Sequence, residues 1–226
     1  MTKGLFIIAN EFDNMSLNSL PFFSVIIPTF NRKELLIRAI NSLLLQEEQS
    51  WEAIIVDDGS DDSTHSFIQF YLKSDFRIKY VRQENRGAAL AKNYGIEKAK
   101  GSFVTFLDSD DEYDLGHLES RKKILVENPE VKFLFGGLKI IGSPFVPDRF
   151  DTDKKIHLDD CVIGGTFFIE RSLLLSLNGF KNILIGEDAE LFERICRLDI
   201  LKLKTEVPSY IYRKDVKDSV TNNFIK

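Results

Sequence analysis

Only two cysteines, Cys161 and Cys196, occur in the 226-residue chain, and neither belongs to a paired-thiol motif. Two thiols cannot build a disulfide framework, so the fold must rest on an apolar core, with both cysteines expected reduced inside it. Long hydrophobic runs are missing as well. The most continuous, within residues 22–27 and 43–45, fall far short of the roughly 20 residues a membrane-spanning helix needs. The apolar stretch at residues 5–9 is shorter than the about 7 to 15 residues of a secretory leader's core, and no small-residue cleavage pattern follows, which argues against export. An excess of positive charge is lacking too. Thirty Lys and Arg against 35 Asp and Glu leave a net charge of -5, so no broad cationic field recommends nucleic acid or an anionic membrane as the main partner. His65, His117 and His157 lie without ligand spacing to one another and read as structural or surface residues. Trp51 reads as a packing residue at a sheet edge. No internal repeat or low-complexity segment is present.

What remains is ordinary for a soluble globular chain: 43% hydrophobic and 29% charged residues, enough for one sizeable domain. Residues 1–23 show no sustained period and are set aside as an extension. From Ser24 onward the pattern sharpens. Residues 24–27 read as a buried strand stopped by Pro28, and Asn31 with Glu34 forms a capping box for a helix carrying Leu36, Ile40, Leu43 and Leu44. Residues 53–56 and 78–81 give two further strands, with a helix bearing Phe67, Ile68, Tyr71 and Leu72 between them. A helix over 88–99 closes at Lys100-Gly101, and residues 103–107 form strand four. Strands alternating with helices predict an α/β fold with a mainly parallel sheet covered on both faces. Beyond Asp114 the spacing loosens. A helix over 118–126, strands at 133–135 and 167–169 and a loop-like stretch at 143–160 add to the same sheet.

Ligands of open parallel sheets bind beyond the carboxyl ends of the strands, so polar residues just after a strand are the first suspects. Asp57 follows Ile54-Ile55-Val56, and Asp108 follows Thr105-Phe106-Leu107, which brings two carboxylates to one rim. Asp108, Asp110, Asp111, Glu112 and Asp114 crowd into seven residues. Like charges about 4 Å apart repel by about 4 kcal/mol at an effective dielectric of 20, so partial burial demands a counter-charge. A hard cation such as Mg2+ or Mn2+ suits an all-oxygen set. A solvated acidic loop is the other reading of such a triplet. Glu187-Asp188, after Gly186 and before a helix carrying Leu191, Phe192 and Ile195, sits where a helix N-terminus favours negative charge, as a simple cap would also do. Gly164-Gly165-Thr166 reads either as a turn or as a place where a ligand approaches the backbone closely.

The ordered series Ser24-Val25-Ile26-Ile27-Pro28-Thr29-Phe30-Asn31-Arg32, Ile54-Ile55-Val56-Asp57-Asp58-Gly59-Ser60, Asn85-Arg86-Gly87, Ala91-Lys92-Asn93 and Phe106-Leu107-Asp108-Ser109-Asp110-Asp111 resembles the family 2 glycosyltransferases of GT-A fold over residues 24–213. The resemblance implies a single GT-A domain over 24–226, with a donor-binding half (24–114), an acceptor-binding half (115–213) and a tail (214–226). It implies an inverting, metal-dependent transfer of a sugar from a nucleotide-diphospho-sugar, usually a UDP-sugar, to a hydroxyl of a glycan or lipid-linked glycan in surface-glycan biosynthesis. Such an enzyme works in the cytoplasm, peripheral to the inner membrane face. By the same resemblance Asp57 is the uracil-binding carboxylate, with Pro28, Thr29, Asn31, Arg32, Asp58, Asn85 and Ser109 around the nucleotide and Arg86 and Lys92 flanking it or its phosphates. Asp108 is the ribose and metal-side acid and Asp110 the direct ligand of Mn2+ or Mg2+. Asp188 is the general base, and Glu187, Gly165 and Thr166 meet the acceptor. Tyr210, Tyr212 and Arg213 come after the final strand, where the family often has histidine two residues beyond Tyr-Arg; here that position is Asp215, a further candidate ligand. Two other readings stay open: a nucleotide-sugar-binding module without turnover, and a haloacid-dehalogenase-like phosphatase with Asp108 as nucleophile.

Overall fold

The computed structural model describes residues 20–215 apart from 149, 150, 152 and 184; most of the expected N-terminal extension and C-terminal tail lies outside the described residues. In chain order the elements are β1 (Phe23–Thr29), α1 (Lys33–Leu44), β2 (Trp51–Asp57), α2 (Thr64–Ser74), β3 (Ile78–Arg82), α3 (Ala88–Lys98), β4 (Phe103–Phe106), β5 (Glu112–Tyr113), α4 (His117–Glu127), β6 (Val131–Phe135), β7 (Leu138–Ile141), β8 (Phe145–Pro147) and β9 (Lys155–His157). They are followed by β10 (Phe168–Glu170), α5 (Arg171–Ser176), α6 (Glu187–Cys196), β11 (Leu201–Lys204) and β12 (Tyr210–Arg213). Short 3-10 turns occupy Leu158–Asp160 and Gly164–Thr166.

The central sheet has seven strands in the order β11-β6-β10-β4-β1-β2-β3. Every pairing in it is parallel except those of β10, which runs against both β4 and β6. The two-residue period of a strand sorts its side chains onto two faces. On β1 and β2, Val25, Ile27, Ala53 and Ile55 join one apolar cluster with Leu36, Ile40, Ile68 and Leu118, the faces of α1, α2 and α4. Ile26, Ile54 and Val56 join another with Ala91, Ile96, Leu174, Leu191 and Ile195, from α3, α5 and α6. Both faces are therefore covered, and both clusters draw on the second half of the chain.

Several local expectations change. Pro28 does not stop β1; it lies within the strand opposite Val56, and pairing continues to Thr29 with Asp57. No capping box forms at α1. Asn31 has a positive φ of 52° and its Oδ1 accepts from the Asp61 N–H, while the Lys33 N–H at the helix start donates to Asp62 Oδ2 at 3.1 Å. Gly101 does not close α3 through a left-handed turn. A side chain there would meet the Ser24 nitrogen at 2.6 Å, so glycine is required by the approach of this loop to β1. Trp51 begins β2, one strand in from the edge, and is buried beneath the Arg77 guanidinium. Residues 143–160 include the hairpin strands β8 and β9 rather than loop alone. Tyr210, Tyr212 and Arg213 form the last strand, β12, which joins β5 and β7 in a small second sheet. Both cysteines are free, but Cys161 is half-buried and Cys196 exposed, so neither is a core residue.

Candidate active site

A cavity of about 1220 Å³ opens beyond the carboxyl ends of β1, β2 and β4. Pro28, Thr29, Arg32 and Asp58 line one side, Asn85 and Arg86 its mouth, and Lys92 and the turn 108–111 its floor. The second half closes it with Gly164, Glu187 and Asp188. The cavity thus gathers most of the residues singled out in the sequence.

Asp57 is a departure. The strand period turns it to the face of Ile55, where it is fully buried; it accepts from the Ser60 N–H at 2.8 Å and the Tyr80 hydroxyl, with Arg82 Nε at 3.8 Å. It shapes the turn after β2 and does not line the cavity. Burial together with the Asp57 carboxylate raises the Tyr80 pKa well above the usual phenol value, so this hydroxyl stays a donor. Asp58 does line the cavity, but its carboxylate is spent on the next loop. Its oxygens accept from the N–H groups of Arg86 (2.9 Å) and Gly87 (2.8 Å) and from Gln83 Nε2 (2.6 Å). That places Asn85 and Arg86 at the mouth. Asn31 is exposed, does not line the cavity, and donates its N–H to Ser60 Oγ.

The acidic turn after β4 is held by cations on every side. Arg32 Nη1 lies 3.2 Å from Asp110 Oδ2, Arg38 Nη2 donates to the Asp110 carbonyl at 2.6 Å, and Arg213 Nε donates to Glu112 at 2.6 Å. Ser109 is buried in the same turn. Lys92, although buried, carries its charge between two acids: Nζ is 3.3 Å from Glu187 Oε1 and 3.6 Å from Asp108 Oδ1. Burial alone would lower its pKa, but Asp108, Glu187 and Asp188 outweigh that and push it above the ordinary lysine value. A cation expected to flank phosphates is therefore also the bridge between the two halves.

Asp188 is the second residue of α6, after Gly186 at φ 80°. Its Oδ2 accepts from the Gly164 N–H at 3.1 Å and its Oδ1 from the Ala189 N–H at 2.8 Å. Burial, then the neighbouring Glu187 charge, push its carboxyl up to about 6, against the opposing pull of Lys92 and the two amides. A carboxylate so placed is a far better proton acceptor than an ordinary aspartate.

Other expected positions are not brought in. Thr166 is buried, accepting from the Gly136 N–H and donating to the Ile163 carbonyl, and a Cβ on Gly165 would overlap the Tyr210 ring. Neither lines the cavity; the adjacent Gly164 does. Asp215 is exposed, pairs with Arg213 Nη1 at 3.2 Å and also lies off the cavity wall. Tyr210, given no role by the sequence pattern, holds the acidic turn through Asp111. Asp111 and Gly164, which entered only as members of the acidic cluster and of the 164–166 triplet, line the cavity.

Among the described residues no three His, Cys, Asp or Glu side chains gather to hold an ion. Mg2+-type sites seldom need such a cage, since one or two carboxylates, waters and substrate phosphates suffice. Burial first, then the Asp110 and Asp108 charges, drive the Asp111 pKa well above the ordinary carboxylate range. The all-oxygen donor set of Asp108 and Asp110 fits a hard cation.

The Glycosyl transferase family 2 model matches residues 24–150. A GalNAc(5)-diNAcBac-PP-undecaprenol beta-1,3-glucosyltransferase of Campylobacter jejuni is 34% identical over 213 residues, 89% of this chain and 68% of its own length. S. aureus TarS 1-349, solved with UDP-GlcNAc, superposes with a TM-score of 0.70 at 24% identity, over 85% of this chain and 58% of that one. The mannosyltransferase PcManGT of Pyrobaculum calidifontis, solved with GDP-Man and Mn2+, gives 0.68 at 20% identity, over 86% and 57%. These two likenesses establish the GT-A fold. The chain spans less of a Bacillus subtilis glycosyltransferase, 53% of its length. With Asp108 two residues past the fourth strand and the whole of 24–150 matching a glycosyltransferase family, the phosphatase reading has no support left. By the family match and the extended likeness to the Campylobacter protein, the chain belongs to glycosyl transferase family 2.

Proposed function

We propose that this protein moves a sugar from a nucleotide-diphospho-sugar, a UDP-sugar in the first instance, to a hydroxyl of a lipid-linked glycan, with inversion at the anomeric carbon. The observation that carries this reading is the placement of Asp188, with its raised pKa, across one cavity from the Asp108–Asp110 turn. The undecaprenol-linked acceptor in the name of the Campylobacter relative supports the acceptor class, and the UDP-GlcNAc complex of TarS supports the donor class.

In this mechanism Pro28, Thr29, Asn85 and Arg86 receive the nucleoside end, and Arg86 and Arg32 offer charge to the diphosphate. A Mn2+ or Mg2+ held by Asp108, Asp110 and the diphosphate would offset charge on the leaving group. Ionised Asp188 accepts the proton of the acceptor hydroxyl as its oxygen attacks the anomeric carbon from the face opposite the departing diphosphate. One bond forms as one breaks, and no covalent enzyme intermediate arises. Glu187, tied to Lys92, borders the acceptor. Among the described residues no helix is long and apolar enough to cross a membrane. A lipid-linked acceptor like the one named for the Campylobacter relative would set the reaction at the inner membrane face.

Replacing Asp188 by Asn keeps the shape and removes the base. Transfer should fall by about 10² or more, the lower range of general-base contributions, while nucleotide binding persists. Product formation from radiolabelled donor, alongside calorimetric titration with UDP and Mn2+, separates the two. Near-normal turnover in Asp188→Asn would sink the assignment.

A further inference from the structure

We infer that Tyr210 is a positioning residue that couples the acidic turn to the turn holding Asp188; this rests on the sugar-transfer reading above. Its phenol oxygen donates to Asp111 Oδ2 at 2.7 Å and lies 3.4 Å from the Asp108 N–H, which donates to it. One oxygen therefore pins both ends of a four-residue turn that is itself closed by the Asp111 N–H to the Asp108 carbonyl at 3.0 Å. The other Asp111 oxygen accepts from the Arg213 N–H at 2.8 Å, so this carboxylate is fixed by two donors and the turn that carries Asp108 and Asp110 is fixed with it.

The ring does a second job. It passes over Gly165 so closely that a Cβ there would overlap the ring and its hydroxyl, which explains the glycine. The neighbouring Gly164 supplies the N–H that holds Asp188 Oδ2. Tyr210 thus touches one carboxylate-bearing turn with its hydroxyl and supports the other with its ring. Its own place is fixed from behind. The Tyr210 N–H donates to the Gly137 carbonyl at 3.1 Å, and the preceding Ser209 hydroxyl is held by the Arg121 guanidinium and by His117 Nδ1 at 3.0 Å. The side chain is fully buried and does not line the cavity, so it acts through its neighbours and not on substrate.

The test uses the full chain as wild type, Tyr210→Phe and Gly165→Ala, titrated calorimetrically with UDP and Mn2+ at a temperature where circular dichroism shows each fully folded. Tyr210→Phe keeps the ring and deletes the hydroxyl; nucleotide affinity should drop about fivefold, the equivalent of one buried hydrogen bond. Gly165→Ala, at a position off the cavity wall, should also weaken binding by displacing the ring. A role limited to stability would lower the melting temperature of Tyr210→Phe and leave the affinity of the folded protein unchanged, and that result overturns the inference even if Gly165→Ala fails to fold. Wild-type protein that binds no nucleotide overturns the sugar-transfer reading itself, and this inference with it.

Discussion

As the proposed general base, Asp188 must be ionised to take a proton yet basic enough to want one, and the two requirements are set by different neighbours. Burial and Glu187 raise its pKa to about 6; Lys92 and the amides of Gly164 and Ala189 hold it down. The sign for activity follows. Below pH 6 the carboxyl is protonated and cannot act as base, so kcat/KM should fall along an acid limb with an apparent pKa near 6 and be flat above it. Lys92→Met removes a charge that favours the ionised form. Its limb should therefore move to higher pH, with activity at pH 7 reduced and partly recovered on alkalinisation, whereas Lys92→Arg should restore the wild-type profile. A pH–rate series on the three proteins decides this, and an unmoved limb in Lys92→Met would mean that Lys92 does not tune the base. At this scale the sequence identifies residue types but not their orientation. Asp57 and Asp58 are adjacent and chemically identical, yet one is sealed behind Tyr80 and the other meets the cavity, because a strand alternates its sides.

At the scale of elements, strands and helices were legible wherever an apolar period was long enough to repeat, as in β1 to β4 and α1 to α4. Ends were less so, since the partners that fix them come from elsewhere in the chain. The amide at the start of α1 is satisfied by Asp62, from the loop after β2, and no local pattern could reveal that. Gly101 is a second case: its place after α3 suggests a helix stop, while the requirement is the backbone of β1, with Ser24 N at 2.6 Å and Phe23 C at 2.7 Å from any added Cβ. Backbone cannot step aside as a flexible side chain can. Gly101→Ala should therefore cost about 1–3 kcal/mol by overpacking. Gly116→Ala, at the N-cap of α4 but with nothing within 4 Å, should cost less than Gly101→Ala, within about 1 kcal/mol of wild type. Urea unfolding of both reads the contrast, and equal midpoints would refute the close-approach argument.

Across the whole molecule, residues 24–114 and 115–213 share one sheet and both apolar clusters, but at the cavity they are joined by polar links. Lys92 reaches Glu187, the Asn93 side chain exchanges two hydrogen bonds of 2.8 Å with the Phe180 backbone, and Tyr210 reaches Asp111. These links join residues about 90 to 100 positions apart, which is why composition and periodicity indicated a mainly parallel α/β sheet while the convergence of the site rested on family likeness. The acidic turn sets Asp108, Asp110 and Asp111 close together, a like-charge repulsion that bound positive charge offsets. Ligand and cation together should relieve it more than either alone. At a nucleotide concentration of 100 Kd, binding to the native state adds about 2.7 kcal/mol of stability, a shift of several degrees for a chain of this size. Thermal melts with UDP plus Mn2+ should therefore rise well beyond those with UDP or Mn2+ separately, and EDTA should abolish the excess. Parallel melts with GDP identify the base preferred, because the Asn85 and Arg86 mouth is common to both while the purine needs more room. Additive shifts from nucleotide and metal would argue that the cation does not bind between Asp108, Asp110 and the diphosphate, and would leave Arg32 and Lys92 as the charges that receive the leaving group.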